Sequence, residues 1–304
     1  VIVSTDISIH YHLLDYRMRA VVAVVTGVTQ EAQRRHGLDP LTTIAFGRAV
    51  GCASLLASTL KRGPDYLHCS FKGNGILSRV VAECNGEGHC RGYTSPARLV
   101  DTLPERKAMP QKVGDALGEG TLSVTRGSPT DRQPYTAVAS LLNGEIASDV
   151  AKYLAESEQI PSAVAAGVKL SPAGEVLGAG AVLVQKLAGA VLDDAVLVAV
   201  EERLRSPALA LSERIARGEE PDQIAAYIIE NLQGVPQAKE PWGRLTTKAL
   251  EFRCTCSRDK MSNVLFALGE DQLKKIEQET GRLEVRCPYC ATSHRFQMSE
   301  LVKQ

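Results

Sequence analysis

Four cysteines crowd into the last fifth of this 304-residue chain as two short-spaced pairs, Cys254-Thr255-Cys256 and Cys287-Pro288-Tyr289-Cys290, with thirty residues between them. Four thiolates complete the tetrahedral shell that structural zinc prefers, at Zn–S distances of about 2.3 Å and with no position left open for catalysis. A Cys-x-x-Cys beside a turn-forming Pro makes one knuckle, and Cys-x-Cys makes a tighter one. Cys254, Cys256, Cys287 and Cys290 are therefore the candidate ligands of one Zn2+ per chain. His294 lies nearby in sequence, but the all-cysteine set is already complete, so it reads as a neighbour of the site. Residue chemistry alone leaves two roles open. A static staple is the default, yet thiolates are also the form of cysteine that oxidants attack. Because apparent zinc-binding free energies of about 10 to 16 kcal/mol act as folding free energy in small metal domains, loss of the metal is expected to unfold a segment this short.

The elements that position these residues read as α+β. Thr29 to His36 has the pattern of a short helix stopped by Gly37. Asp39 and Pro40 open a second helix, whose apolar residues recur at three and four from Leu41 to Leu60 and which is expected to end near Gly63-Pro64. Leu67, Cys69 and Phe71 then alternate with polar residues, and Gly-rich clusters at 73–75 and 85–88 punctuate a β-meander. Leu122 and Val124, then Pro134 to Leu142, continue it. Ser148 is expected to open a helix through Ala155, and two strands flank the turn at Ser171 to Gly174, the second from Val176 to Leu187. Residues 1–189 form the expected core domain, with mainly antiparallel pairing.

Short helical pieces follow, broken at Ser206-Pro207, Gly218 to Pro221 and Gly234 to Pro236. The clearest runs from Pro221 to Leu232, where Ile224, Ile228 and Leu232 form one narrow apolar stripe that must dock on a partner surface. Residues 190–249 are the expected helical linker, and helices this short are marginal in isolation. The expected small cysteine domain is 250–304. It carries a first helix ending at Gly269, a second from Asp271 to Gly281 with Leu273 and Ile276 inward, and a strand through Leu283 and Val285.

Composition narrows the function classes. Lys plus Arg and Asp plus Glu number 35 each, so no global field favours nucleic acid, an acidic substrate or an anionic membrane. Partners are expected to be held by shape and apolar contact. No apolar run reaches the ~20 residues of a membrane-spanning helix. Val1 to His10 shows no secretory signal, so a soluble, cytoplasmic protein is expected, with an organelle matrix as the other compartment that fits. Between Glu251 and Gln304 nine Lys/Arg face eight Asp/Glu, which disfavours a zinc-ribbon nucleic-acid module, the first alternative, because such a module usually carries a basic stripe. A thiol oxidoreductase built on Cys-x-x-Cys is the second, but no thioredoxin-like strand and helix surround Cys287. Ser58-Thr59-Leu60-Lys61 has Ser-x-x-Lys spacing without the companion motifs of penicillin-reactive enzymes. The six histidines form no metalloprotease or triad pattern, so no enzyme is expected. Cys52 and Cys69 fall on apolar phases and read as core. Cys84 and Cys90 flank a turn beside His89, where two ordinary thiols are preferred over a hairpin disulfide or a second metal site.

The run from Leu250 to Lys260, LEFRCTCSRDK, followed by Arg286-Cys287-Pro288-Tyr289-Cys290, resembles the zinc centre of the heat shock protein 33 family of redox-regulated holdase chaperones. Ala53 to Lys61, Phe71 to Gly75, Glu156 to Pro161 and Gly178 to Gly180 are similar to stretches of that family's substrate-binding domain, so the resemblance spans essentially the whole chain. It implies a reduced, zinc-bound, inactive form held by Cys254, Cys256, Cys287 and Cys290. It further implies that oxidation joins the near neighbours within each pair, that zinc is lost and the linker unfolds, and that the protein then binds unfolding clients without ATP, as a homodimer. The four cysteines of the first domain are not explained by it.

Overall fold

The computed structural model describes residues 5–13, 18–103, 108–187, 194–229 and 243–301. It divides into two compact units, Val1–Phe252 and Arg253–Gln304.

The first unit begins with antiparallel strands β1 (Ile7–Leu13) and β2 (Met18–Val24), followed by helices α1 (Thr26–His36) and α2 (Pro40–Ala57). A meander of β3 (Tyr66–Gly73), β4 (Arg79–Asn85) and β5 (His89–Ser95) leads through the short helix α3 (Val113–Leu117) to β6 (Gly120–Gly127) and β7 (Tyr135–Ser140). Then come α4 (Ala147–Glu156), β8 (Ser162–Leu170) and β9 (Val176–Lys186), three helices α5 (Asp194–Arg205), α6 (Leu211–Ala216) and α7 (Pro221–Ile229), and two strands, β10 (Gly243–Ala249) and β11 (Glu251–Phe252). One sheet has the order β10-β1-β2-β9-β8 and the other β11-β5-β4-β3-β6-β7; every pairing is antiparallel except β11 with β5.

Helix α2 lies between the two sheets and packs on both, which is why it is buried on every side. Its composition is long and apolar enough for a membrane span, yet 83% of it is buried in this core. The cap at Asp39 is as expected, its carboxylate accepting from the Thr42 N–H. The helix stops at Ala57, short of Gly63-Pro64, because the Ser58 hydroxyl turns back to the Leu55 carbonyl at its C-terminus. Strand β2 shows why alternation fails as a signal here. Val21 and Ala23 enter the core shared with α2, whereas Ala20, Val22 and Val24 enter a second core on the opposite face of the sheet, so both phases are apolar.

That second core is closed by α5, α6 and α7. Ile224 and Ile228 are fully buried in it, beside Val200 and Ile215. The expected apolar stripe therefore docks on the β1–β2–β9 face; Leu232 lies outside the described residues. The last part of the expected helical linker is a strand instead. β10 pairs with the edge of β1, Ile7 opposite Ala249 and Ser8 opposite Lys248. Apart from Lys248 its side chains are exposed, so no two-residue apolar period marks it in the sequence.

Two helix starts differ for a related reason. α1 begins at Thr26, ahead of the expected Thr29, because the Asp6 carboxylate accepts from the Gly27 and Val28 N–H groups at 2.8 and 2.6 Å. That cap comes from the start of another strand and leaves no local signature. Ser148 lies inside α4 instead of opening it; the buried Asp149 carboxylate gathers the Leu142, Asn143, Gly144 and Ile146 N–H groups.

The second unit holds α8 (Arg258–Phe266), α9 (Glu270–Thr280), a hairpin of β12 (Leu283–Arg286) with β13 (Ser293–Phe296), and α10 (Met298–Leu301). Its small core is Leu265, Leu273, Leu283, Phe296 and Leu301, with Ile276 and Val285 packed against it. Gly281 ends α9 in the left-handed conformation. β13 and α10 were not foreseen, since four residues are too few to establish a period.

Candidate metal centre

Two local structures present the cysteines. Cys254 and Cys256 sit in the extended stretch ahead of α8, whose first turn is capped by the Ser257 hydroxyl accepting from the Lys260 N–H. The Lys260 ammonium reaches back to the Thr255 carbonyl at 2.9 Å, fixing the residue between the two thiols. Cys287 and Cys290 occupy the turn of the β12–β13 hairpin. The Cys287 N–H donates to the Thr292 carbonyl, and the Ala291 N–H returns to the Cys287 carbonyl, both at 2.9 Å. Ala291 takes a left-handed φ of 57° to close that turn.

These two structures bring all four Sγ atoms within 4.8 Å of one another. Cys254 Sγ is 3.8 Å from Cys287 Sγ, and Cys256 Sγ is 3.4 Å from Cys290 Sγ. A tetrahedron with 2.3 Å zinc–sulfur bonds has edges of about 3.8 Å, so the set fits a zinc ion. Its electrostatics fit as well. Burial, followed by the neighbouring thiols, raises the Cys256 pKa, and burial raises that of Cys287 although the Tyr289 and Cys290 N–H groups oppose it. Burial also acts on Cys290, but hydrogen bonds from Thr292 and contacts with Cys256 and Cys254 outweigh it and bring its pKa down to about 7. Four thiolates packed this closely require a cation to neutralise them. The Thr292 hydroxyl, 3.3 Å from Cys290 Sγ, is a site residue that sequence reasoning missed; its position just past a Cys-x-x-Cys turn was the available signal. His294 sits opposite Val285 in the hairpin and is not part of the four-sulfur group.

The remaining motifs separate cleanly. Cys52 and Cys69 are fully buried, and burial raises both thiols, Cys69 to about 12. Such thiols are unreactive core residues. Ser58 does come within 3.0 Å of a ring nitrogen of His10. Its hydroxyl hydrogen is directed to the Leu55 carbonyl, so the imidazole donates to Ser58 Oγ, opposite to what a general base requires. Lys61 is exposed on the surface. Cys84 and Cys90, by contrast, are brought together, directly opposite each other on β4 and β5.

Comparison with known proteins agrees over nearly the full length. A family model described as Hsp33 protein matches residues 6–297. The 33 kDa chaperonin of Desulfotalea psychrophila is 35% identical over 277 residues, covering 91% of this chain and 89% of that protein. The 33 kDa chaperonin of Bacillus subtilis is 31% identical over 288 residues, covering 94% of each. A crystal structure of the 33 kDa chaperonin of Thermotoga maritima superposes with a TM-score of 0.80 at 30% identity, covering 97% of this chain and 96% of that one.

Proposed function

The chain belongs to the Hsp33 family, and from that premise we propose that it is an ATP-independent holdase chaperone switched on by oxidation of Cys254, Cys256, Cys287 and Cys290. The observation that carries the reading is the four-sulfur cluster, whose spacing fits one Zn2+ per chain. When bound, zinc supplies a divalent charge that holds the four sulfurs as thiolates and ties the Cys254–Cys256 stretch to the β12–β13 hairpin. Under a peroxide, oxidation joins Cys254 to Cys256 and Cys287 to Cys290, each bond forming as two thiolates give two electrons to one peroxide, which takes two protons from solvent and leaves as two waters. The family resemblance supplies this pairing, since all four sulfurs lie within 4.8 Å and proximity does not choose among partners. Once the sulfurs are paired they no longer serve as four thiolate ligands, and the small core of Leu265, Leu273, Leu283, Phe296 and Leu301 loses its principal tie.

In this reading residues 1–189 are the client-binding core, 190–249 the metastable linker and 250–304 the switch. The linker helices bury Ile224 and Ile228 against the β1–β2–β9 face, so their release uncovers apolar surface that holds unfolding proteins by non-directional burial. The active protein is a homodimer in the cytoplasm, acts on unfolded clients, engages neither nucleic acid nor membrane, and carries out no catalysis. The deciding experiment is light scattering from an aggregating client with reduced and oxidised protein side by side. Suppression by the oxidised form alone supports the switch; equal suppression by the reduced form overturns it.

A further inference from the structure

The β4–β5 hairpin holds a second cysteine pair that neither the metal centre nor the family resemblance explains. Cys84 and Cys90 face each other in register on adjacent antiparallel strands, and their sulfurs stand 2.9 Å apart. Directly opposed strand residues have Cα separations of about 4.5 to 5.5 Å, inside the range a disulfide spans. Closing the bond requires the sulfurs to approach by about 1 Å. Both residues are buried, Cys84 at 1% exposure and Cys90 at 0%. Burial, and then the neighbouring Cys90, keeps the Cys84 thiol protonated and unreactive while the fold is closed.

Cys84 Sγ approaches the Val50 carbonyl of α2 at 4.0 Å, so the pair is covered by α2 on one side and by the segment around Leu250 on another. A small pocket of about 20 Å³ lies beside Cys84, bounded by Ser8, His10, Ser58, Lys248 and Leu250. That is room for about one water molecule. Lys248 belongs to β10, a sheet-edge strand, and Leu250 follows it with 7% exposure. The carbonyl of Gly88, in the turn of the cysteine hairpin, accepts from the Glu251 N–H at 3.0 Å, and the Cys90 thiol approaches the same carbonyl at 3.6 Å. Addition of a Cβ to Gly88 would bring it within 2.0 Å of the Ala249 carbonyl oxygen. The segment from β10 to β11 therefore lies directly on the hairpin that carries the two thiols.

We propose that Cys84 and Cys90 are a second redox site, gated by the β10–β11 segment, and that they form a disulfide with hydrogen peroxide when that segment lifts. One thiol is oxidised by one peroxide to a sulfenic acid, releasing water. The other thiol then displaces the sulfenic oxygen, forming the S–S bond and releasing a second water. Two thiol hydrogens and two electrons pass to the peroxide, and no other reactant is needed. The inference does not rest on zinc at the C-terminal cysteines, because the gate is defined by contacts within Val1–Phe252.

The test uses the full-length protein treated with hydrogen peroxide, quenched by alkylation under denaturing conditions and digested with trypsin. The peptide from Val80 to Arg91 contains both cysteines. A disulfide makes it lighter by two hydrogens and blocks alkylation. In the wild type this peptide should oxidise only after the C-terminal cysteines, once the linker that includes β10 has opened; in Leu250→Ala, which opens the cover, it oxidises about tenfold faster. A second measurement needs no variant. As wild-type protein is warmed, oxidation of the peptide should follow hydrogen exchange of the 244–249 amides. A peptide that remains dithiol after those amides exchange overturns the redox site. Oxidation at equal rates in the wild type and Leu250→Ala, with 244–249 still protected, overturns the gate.

Discussion

Arg244 of β10 forms an ion pair with Asp222 in the first turn of α7. It joins the strand that leads toward the cysteine unit to the helix whose stripe covers the second core. Both side chains are about half exposed, at 49% and 51%, so solvent screening leaves the pair itself little effect on stability. Its consequence is coupling more than stability, because displacement of β10 removes a partner from the N-terminus of α7.

Asp222→Asn should therefore leave the urea midpoint nearly unchanged while speeding hydrogen exchange in α7 relative to α2. The comparison of the two helices in one exchange experiment checks this. Unchanged exchange in α7 would show that β10 and α7 open independently.

Ile228 is fully buried between α7 and the sheet. Ile228→Asp places a carboxylate in that apolar site and should cost several kcal/mol of docking free energy, giving partial suppression of client aggregation even in the reduced protein. Ile228→Val, expected to cost about 0.5 to 1.5 kcal/mol, is the control. Light scattering with the two reduced variants decides the point; equal inactivity would remove α7 from the switch.

The same residues mark what was legible in the sequence. Ile224 and Ile228 repeat at helical spacing, so α7 and its need for a docking surface could be read locally. Asp39, Gly37 and Gly281 sit at helix ends and declare themselves in the same way. The four C-terminal cysteines were legible because metal binding uses short fixed spacings that survive without knowledge of the fold. β10 was not legible, since an edge strand with exposed side chains takes its stability from backbone pairing with β1, which leaves no mark on residue type. The Asp6 cap on α1 was hidden because it depends on tertiary placement. The turn between Cys84 and Cys90 was legible, but residue types alone rank a hairpin disulfide below two ordinary thiols, since the strand register that puts the pair face to face leaves no mark on them.

Reduced protein should hold one zinc per chain, and Cys287→Ser should lower its affinity sharply, because a hydroxyl replaces a thiolate in a closed four-sulfur shell. Cobalt substitution gives the check. An absorption spectrum typical of four sulfur ligands is expected in the wild type, and one with nitrogen or oxygen ligands would exclude the all-cysteine set. Chelation should also loosen 253–301 in hydrogen exchange before α2 or β3 respond, since the metal ties belong to that unit.

Two buried groups make opposing contributions to stability between pH 4 and 6. Burial raises the Asp6 pKa from 3.8 to about 6 against hydrogen bonds from the Gly27, Val28 and Thr26 N–H groups. In that window the folded protein keeps a proton on Asp6 that the unfolded chain has released, so this contribution weakens as pH rises, by up to about 3 kcal/mol. His10 has the other sign. Burial, with the charges of Arg19 and Lys248, lowers its pKa from 6.5 to about 4, so the unfolded chain binds the extra proton and stability increases with pH. The two partly cancel in the wild type. Relative to it, Asp6→Asn should show stability that rises more steeply from pH 4 to 6, and His10→Gln stability that rises less or falls; contributions from other carboxylates cancel in these differences. Urea midpoints measured at half-unit intervals across the window check both slopes, and parallel curves for all three proteins would show that neither group titrates differently on folding.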